Sequence, residues 1–129
     1  MAIFFNGRGK IRVKKEIAQD FINDFNKLFK DYDLGDEVSY NEISYNENGV
    51  LEFRNYARHF FIRDCAQLID RNIDKIIEGK LWFICDDEDG SCDKPFPYIM
   101  QFEIVDEKLY EDTIETRLPY DWEYQMDKL

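Results

Sequence analysis

The chain reads as an α+β domain with the order β-α-β-α-β-β-β, a mainly antiparallel sheet with two helices packed on one face. Three observations predict this. Residues 3–13 alternate apolar or glycine with polar for eleven positions; two later stretches carry the i, i+3, i+4 spacing of amphipathic helices; and the second half returns to period two. A chain of 129 residues, 44% hydrophobic, can bury one self-sufficient core, so residues 1–129 form a single predicted domain.

In the first strand Ile3, Phe5, Gly7, Gly9, Ile11 and Val13 share one side, and Phe4, Asn6, Arg8, Lys10 and Arg12 give the other a polar, basic face. Asn6-Gly7 is a hairpin signal, but folding there would oppose Phe5 to Arg8 and Ile3 to Lys10, so an uninterrupted strand is expected. From Lys15 to Tyr32 the stripe Ile17, Ala18, Phe21, Ile22, Phe25, Leu28, Phe29, Tyr32 predicts a helix, stopped by Leu34-Gly35. Residues 36–48 read as a loop with at most a short strand. Asn48-Gly49 marks a turn into a strand over Val50–Tyr56.

A second helix is expected from Phe60 to Glu78 on the stripe Phe61, Ile62, Cys65, Leu68, Ile69, Ile73, Ile76, Ile77, with Gly79 as its stop. At an offset of forty residues the two strand-helix units match at Gly9/Gly49, Phe21/Phe61, Ile22/Ile62, Asp24/Asp64 and Leu28/Leu68. Duplication and chance alignment of amphipathic units both give such a pattern. Leu81–Cys85 and Tyr98–Val105 follow as strands, with Leu81, Phe83 and Cys85 facing the helices and Trp82 and Ile84 the far side. Asp106-Glu107-Lys108 turns the chain into a strand from Leu109 to Arg117. Beyond it Leu118, Tyr120, Trp122, Tyr124 and Met126 alternate with polar residues, as in an edge strand or an arm laid over the sheet.

Charge divides the chain. Residues 1–85, the βαβα scaffold, carry 14 acidic and 13 basic side chains; residues 86–129 carry 14 and 4, which accounts for nearly all of the net −11. Such acidity disfavours nucleic acid and anionic membranes, both of which demand cationic neutralisation, and favours a basic protein surface. The stripe Arg8, Lys10, Arg12, Lys14, Lys15 is expected to find acid within its own fold or at a neighbouring surface. No apolar run approaches the roughly 20 residues of a membrane-spanning helix. The start lacks the features of a secretory signal, and a cytoplasmic protein with three reduced cysteines is expected.

Few motifs carry chemistry. The loop Asp86-Asp87-Glu88-Asp89-Gly90-Ser91-Cys92-Asp93 clusters carboxylates on a glycine, but aligning Gly90 with the invariant EF-hand glycine puts Cys85 and Phe96 at ligand positions. The EF-hand fails; a looser divalent site at Asp86, Asp87 and Asp89 is set against a solvated loop, and neither metal nor cofactor is expected. Without a Cys-x-x-Cys pair, Cys85, Cys92 and His59 make no zinc ribbon. Cys65 and Cys85 lie on apolar faces and Cys92 among acids, so no activated nucleophile is expected. Arg54, Arg58 and His59 could form an anion-binding corner at a helix start, the basis of an alternative reading as a small enzyme or anion-binding domain. The leading expectation is a recognition surface, acidic and aromatic, made of Asp86, Asp87, Glu88, Asp89, Asp93, Trp82, Tyr110, Glu111, Asp112 and Trp122. A homodimer through the Trp82 face is a further alternative.

Gly49-Val50-Leu51-Glu52-Phe53-Arg54-Asn55-Tyr56-Ala57-Arg58, then Glu78-Gly79-Lys80-Leu81-Trp82-Phe83 with the acidic glycine loop and an aromatic return strand, resembles small acidic uncharacterised proteins of bacteria, their phages and plasmids, over about residues 49–105. The resemblance implies a mobile-element setting, in which compact acidic proteins block defence or nucleic-acid enzymes as anti-CRISPR proteins do. That analogy is one of charge and size and brings no catalytic residues.

Overall fold

The computed structural model describes residues 4–32, 41–85 and 98–114. Six strands, β1 (Phe4–Val13), β2 (Asn41–Tyr45), β3 (Val50–Arg58), β4 (Ile76–Cys85), β5 (Tyr98–Val105) and β6 (Lys108–Ile114), form one sheet in the order β2-β3-β1-β4-β5-β6. Every neighbouring pair is antiparallel. Two helices, α1 (Gln19–Asp31) and α2 (His59–Arg71), close one face, as expected.

The alternation in β1 sets the layers. Phe5, Ile11 and Val13 are buried towards the helices, while Arg8, Lys10 and Arg12 lie on the helix-free face. The strand runs unbroken through Asn6-Gly7, because a hairpin there would have mixed the two faces. Its two glycines make room for aromatic rings crossing from neighbouring strands. A Cβ on Gly9 would overlap the edge of the Phe53 ring and come within 3.0 Å of Leu81 Cγ; one on Gly7 would stand 2.8 Å from the Phe83 ring and 2.5 Å from Asn55 Oδ1.

Those rings belong to a chain of aromatic contacts. Phe29 meets Phe53 and Phe61 with centroids 5.2 Å apart in each case, Phe53 and Phe61 reach Phe83 at 6.1 and 6.3 Å, and Phe83 reaches Phe102 at 6.1 Å. Most are edge-on or tilted, the arrangement that puts the positive ring edge against the negative face. Asn55 is the one buried polar side chain among the described residues, and its Oδ1 accepts no hydrogen bond there.

Two local expectations are corrected. Helix α1 begins at Gln19, so Ile17 precedes it and is exposed rather than part of the buried stripe. The second helix ends at Arg71, not Glu78. Asn72 Nδ2 donates to the Leu68 carbonyl at 2.8 Å, a single 3-10 turn over Ile73–Lys75 follows, and Ile76 already pairs with Val13 in the sheet. The run Ile73, Ile76, Ile77 fits helical spacing, but β-branched residues suit a strand as well, and sheet pairing prevails. Gly79 is therefore mid-strand, between Ile11 and Ile104, and stops no helix. The short strand allowed within residues 36–48 is the edge strand β2, an element that the expected order β-α-β-α-β-β-β does not count.

The turn at Asn48-Gly49 is as predicted. Gly49 takes φ +79°, its carbonyl accepts from Val13 N at 2.9 Å, and Asn46 Oδ1 accepts from Asn48 N and Val50 N. The forty-residue match holds for the helices, since Gln19–Asp31 and His59–Arg71 are offset by that interval and share one core. The strands break it: β3 runs straight into α2, whereas β1 ends at Val13 and Gly9 is mid-strand where Gly49 is in a turn. The Leu34-Gly35 stop lies outside the described residues, as do residues 115–117 of the predicted last strand and the alternating tail beyond it.

Candidate functional site: the helix-free face and the outer strand

Period-two alternation carries every second residue to the face that the helices leave uncovered, and strand register lines these residues up in rows. One row reads Glu42, Arg54, Arg8, Trp82, Gln101, Asp112, from β2 to β6. The next reads Ser44, Glu52, Lys10, Lys80, Glu103, Tyr110. Each contains a cation-cation pair: Arg54-Arg8 has Glu42 on one side and Trp82 on the other, whereas Lys10-Lys80 has Glu52 and Glu103 on either side. Like charges directly opposite are locally unfavourable. At about 5 Å in a water-like dielectric the repulsion is on the order of 0.8 kcal/mol, and the two flanking attractions in the second row each offset about as much.

Two residues of the basic stripe find acid within the fold. Arg12 Nε lies 3.6 Å from Glu78 Oε1 with both side chains more than half exposed, and Lys14 Nζ donates to Glu107 Oε1 at 2.9 Å. Such exposed pairs contribute at most about 1 kcal/mol each. A trough of 490 Å³ lies over this region, lined by Lys10, Arg12, Lys80, Glu52, Glu78 and Glu103. A hollow of 300 Å³ adjoins it at Glu52, with Arg8, Arg54, Glu42 and Ser44 on its walls. Cations and carboxylates are equal in number among the charged residues lining each, so neither presents a net positive charge to an anion.

The predicted anion corner is spread out. Arg54, Tyr56 and Arg58 share the helix-free side of β3, but the arginines are four residue steps apart, about 13 Å of backbone. Arg8 stands closer to Arg54 than Arg58 does, being its register partner. Arg8, Arg54, Tyr56 and Arg58 each already take part in a hydrogen bond, ion pair, ring contact or other electrostatic interaction. His59 opens α2, which leaves towards the other face of the sheet; its side chain lies outside the described set.

Of the predicted recognition residues, Trp82 occupies the middle of the helix-free face between Arg8 and Gln101, half-buried. Tyr110, Glu111 and Asp112 lie on β6, outermost in the sheet, and all three are exposed. Alternation splits them: Tyr110 and Asp112 join the helix-free rows, and Glu111, opposite Phe102, the helix side. Asp86, Asp87, Glu88, Asp89, Asp93 and Trp122 lie outside the described residues. Sequence reasoning missed Glu42, Glu52, Lys80, Glu103 and Gln101, whose period-two spacing was visible but whose alignment with β1 depends on strand order.

Elsewhere, burial pushes the Cys65 thiol far above its ordinary pKa of 9.0, which leaves it protonated and unreactive at neutral pH. Cys85 is also buried. Among the described residues no three His, Cys, Asp or Glu side chains cluster to hold a metal ion, and no helix is long and apolar enough to cross a membrane. Between the helices, a groove of 360 Å³ is lined by Asp24, Asp31, Asp64, Lys27 and Arg71.

The fold and this surface define an α+β sheet-and-helix layer protein with one charged, helix-free face. Compared with known proteins, the chain matches no family model, and neither a curated protein nor a solved structure is significantly similar to it.

Proposed function

We propose that the protein is a non-enzymatic interaction module whose acidic C-terminal third binds a basic protein surface, such as that of a nucleic-acid-processing or defence enzyme, and occludes it in the manner of an anti-CRISPR inhibitor. The observation that carries this reading is Tyr110, 51% exposed on the outermost strand, with Glu111 and Asp112 following it and Glu103 across from it. An exposed aromatic flanked by carboxylates supplies a contact anchor together with long-range steering. The matched charges of the sheet centre favour the outer strand over the trough as the contact, since they leave little net field there. Nucleic acid itself is not a partner on this reading, because a chain of net −11 repels phosphate.

Titration against purified, strongly basic DNA- and RNA-processing enzymes tests the proposal. Affinity should fall as salt rises, and Glu111→Lys with Asp112→Lys should weaken binding at least about tenfold, roughly 1.4 kcal/mol. Binding indifferent to salt and to this charge reversal would rule the surface out.

A further inference from the structure

The helix-free face is not uniformly wet. Ile84 and Ile99 are 0% and 7% exposed, yet neither belongs to the cluster that the helices close. Alternation turns both away from Phe83, Cys85 and Met100, which do belong to it. Register sets Ile84 beside Ile99 and continues the row through Asn6 to Tyr56, while Trp82, one row along, has its Nε1 shielded from solvent and without a hydrogen-bond partner among the described residues. An apolar strip thus runs into the cationic one, since Arg8 and Arg54 occupy the row beside it.

Strand β6 ends at Ile114, in register with Ile99, so the chain is delivered to the end of that strip. Residues 115–129 follow, in which Leu118, Tyr120, Trp122, Tyr124 and Met126 alternate with Asp121, Glu123 and Asp127 among the intervening residues. Nine extended residues reach about 30 Å, and the four strand spacings from β6 to β3 need only about 19 Å. Laid with its apolar side down, such a segment covers the strip and leaves its carboxylates on the outward side.

We propose that the segment Leu118–Met126 is the occupant of this face, its apolar side docked across Ile99, Ile84 and Trp82. The inference is independent of the proposed partner, and it withdraws Trp122 from the partner-facing residues while leaving Tyr110, Glu111 and Asp112 on the outer strand.

Trp82 is the reporter. In an intact Trp122→Phe chain its emission should be blue-shifted and poorly quenched by acrylamide; ending that chain after Arg117 should shift the emission to the red and raise quenching severalfold. A synthetic peptide of residues 118–126 added to the shortened chain should reverse both changes. Should the shortened chain not fold, chymotrypsin on the full-length protein gives a second reading, because docking protects Tyr120, Trp122 and Tyr124 under native conditions. Unchanged Trp82 emission on shortening, or rapid native-state cleavage at those sites, would overturn the proposal. Protection that is lost on dilution would also overturn it, by assigning the face to a second copy's segment.

Discussion

Gly9 shows how one residue's lack of a side chain holds two layers together. Its missing Cβ is where the Phe53 ring lies, and Phe53 in turn touches Phe25, Phe29 and Phe83. Alanine at an ordinary strand position would gain about 0.5–1 kcal/mol over glycine. Here that gain is outweighed, since moving a ring in a packed core costs about 1–3 kcal/mol. Gly9→Ala should lower the urea midpoint, and Gly9→Ala with Phe53→Leu should recover part of the loss. A second single-residue device joins the helices: the Tyr32 hydroxyl donates to the Asp64 carboxylate. That hydrogen bond, then burial and the Asp64 charge, hold the Tyr32 pKa above its ordinary 10.0. The protonated form is therefore favoured on folding, and the contribution is complete below pH 10 and lost as pH rises through the folded-state value. Tyr32→Phe should cost about 1 kcal/mol at neutral pH and flatten the alkaline limb of a stability-pH curve; an unchanged limb would remove Tyr32 as its cause.

Among the elements, the β5-β6 turn carries the clearest conflict between sequence and backbone. Asp106 and Glu107 take φ of 52° and 60°, values natural to Asn-Gly in a tight hairpin and unfavourable for glutamate by about 1–2 kcal/mol. Against this, Glu107 gains only its exposed contact with Lys14, worth under about 1 kcal/mol. Glu107→Gly should therefore raise stability by about 0.5–1 kcal/mol in chemical denaturation, and a loss would show that the ion pair outweighs the turn. Which elements were legible in the sequence follows from the same competition. Strand β1, helix α1 and the β5-β6 hairpin announce themselves through long, uncontested periods. Strand β2 does not, because five residues with Ile43 as the inward member cannot outweigh the polar stretch around them, and only pairing with β3 fixes it as a strand. The end of α2 was misread because Ile76 and Ile77 satisfy both periods. The site was legible one strand at a time: β1 gave the basic stripe and β6 the Tyr110 group, but the carboxylates that bracket Lys10 and Lys80 come from residues 52 and 103, which no local pattern aligns.

Across the whole molecule the charge is uneven in the sequence, yet balanced where the sheet brings strands of the two halves together. The two helix-free rows, through Arg8 and through Lys10, are each neutral, so the excess acid belongs to positions outside them, including Asp106, Glu107 and Glu111 at the outer hairpin. Two opposing effects of salt follow. Screening weakens exposed pairs such as Arg12-Glu78, each a fraction of a kcal/mol, and it also weakens the mutual repulsion of a net −11 chain, which acts over the whole folded volume. Raising ionic strength from about 0.01 to 0.15 M shortens the Debye length from about 30 to about 8 Å, from larger than the separation of most surface charges to comparable with neighbouring strands. Long-range repulsion is lost first and short-range attraction kept, so the melting temperature should rise over this range. Scanning calorimetry at the two ionic strengths decides it: a fall would mean that the described ion pairs, not the net charge, govern the electrostatics. Charge reversal at Glu111 and Asp112 brings the net charge from −11 to −7 and should shrink the salt dependence, whereas Arg12→Ala, which removes one attractive pair and makes the chain more acidic, should enlarge it.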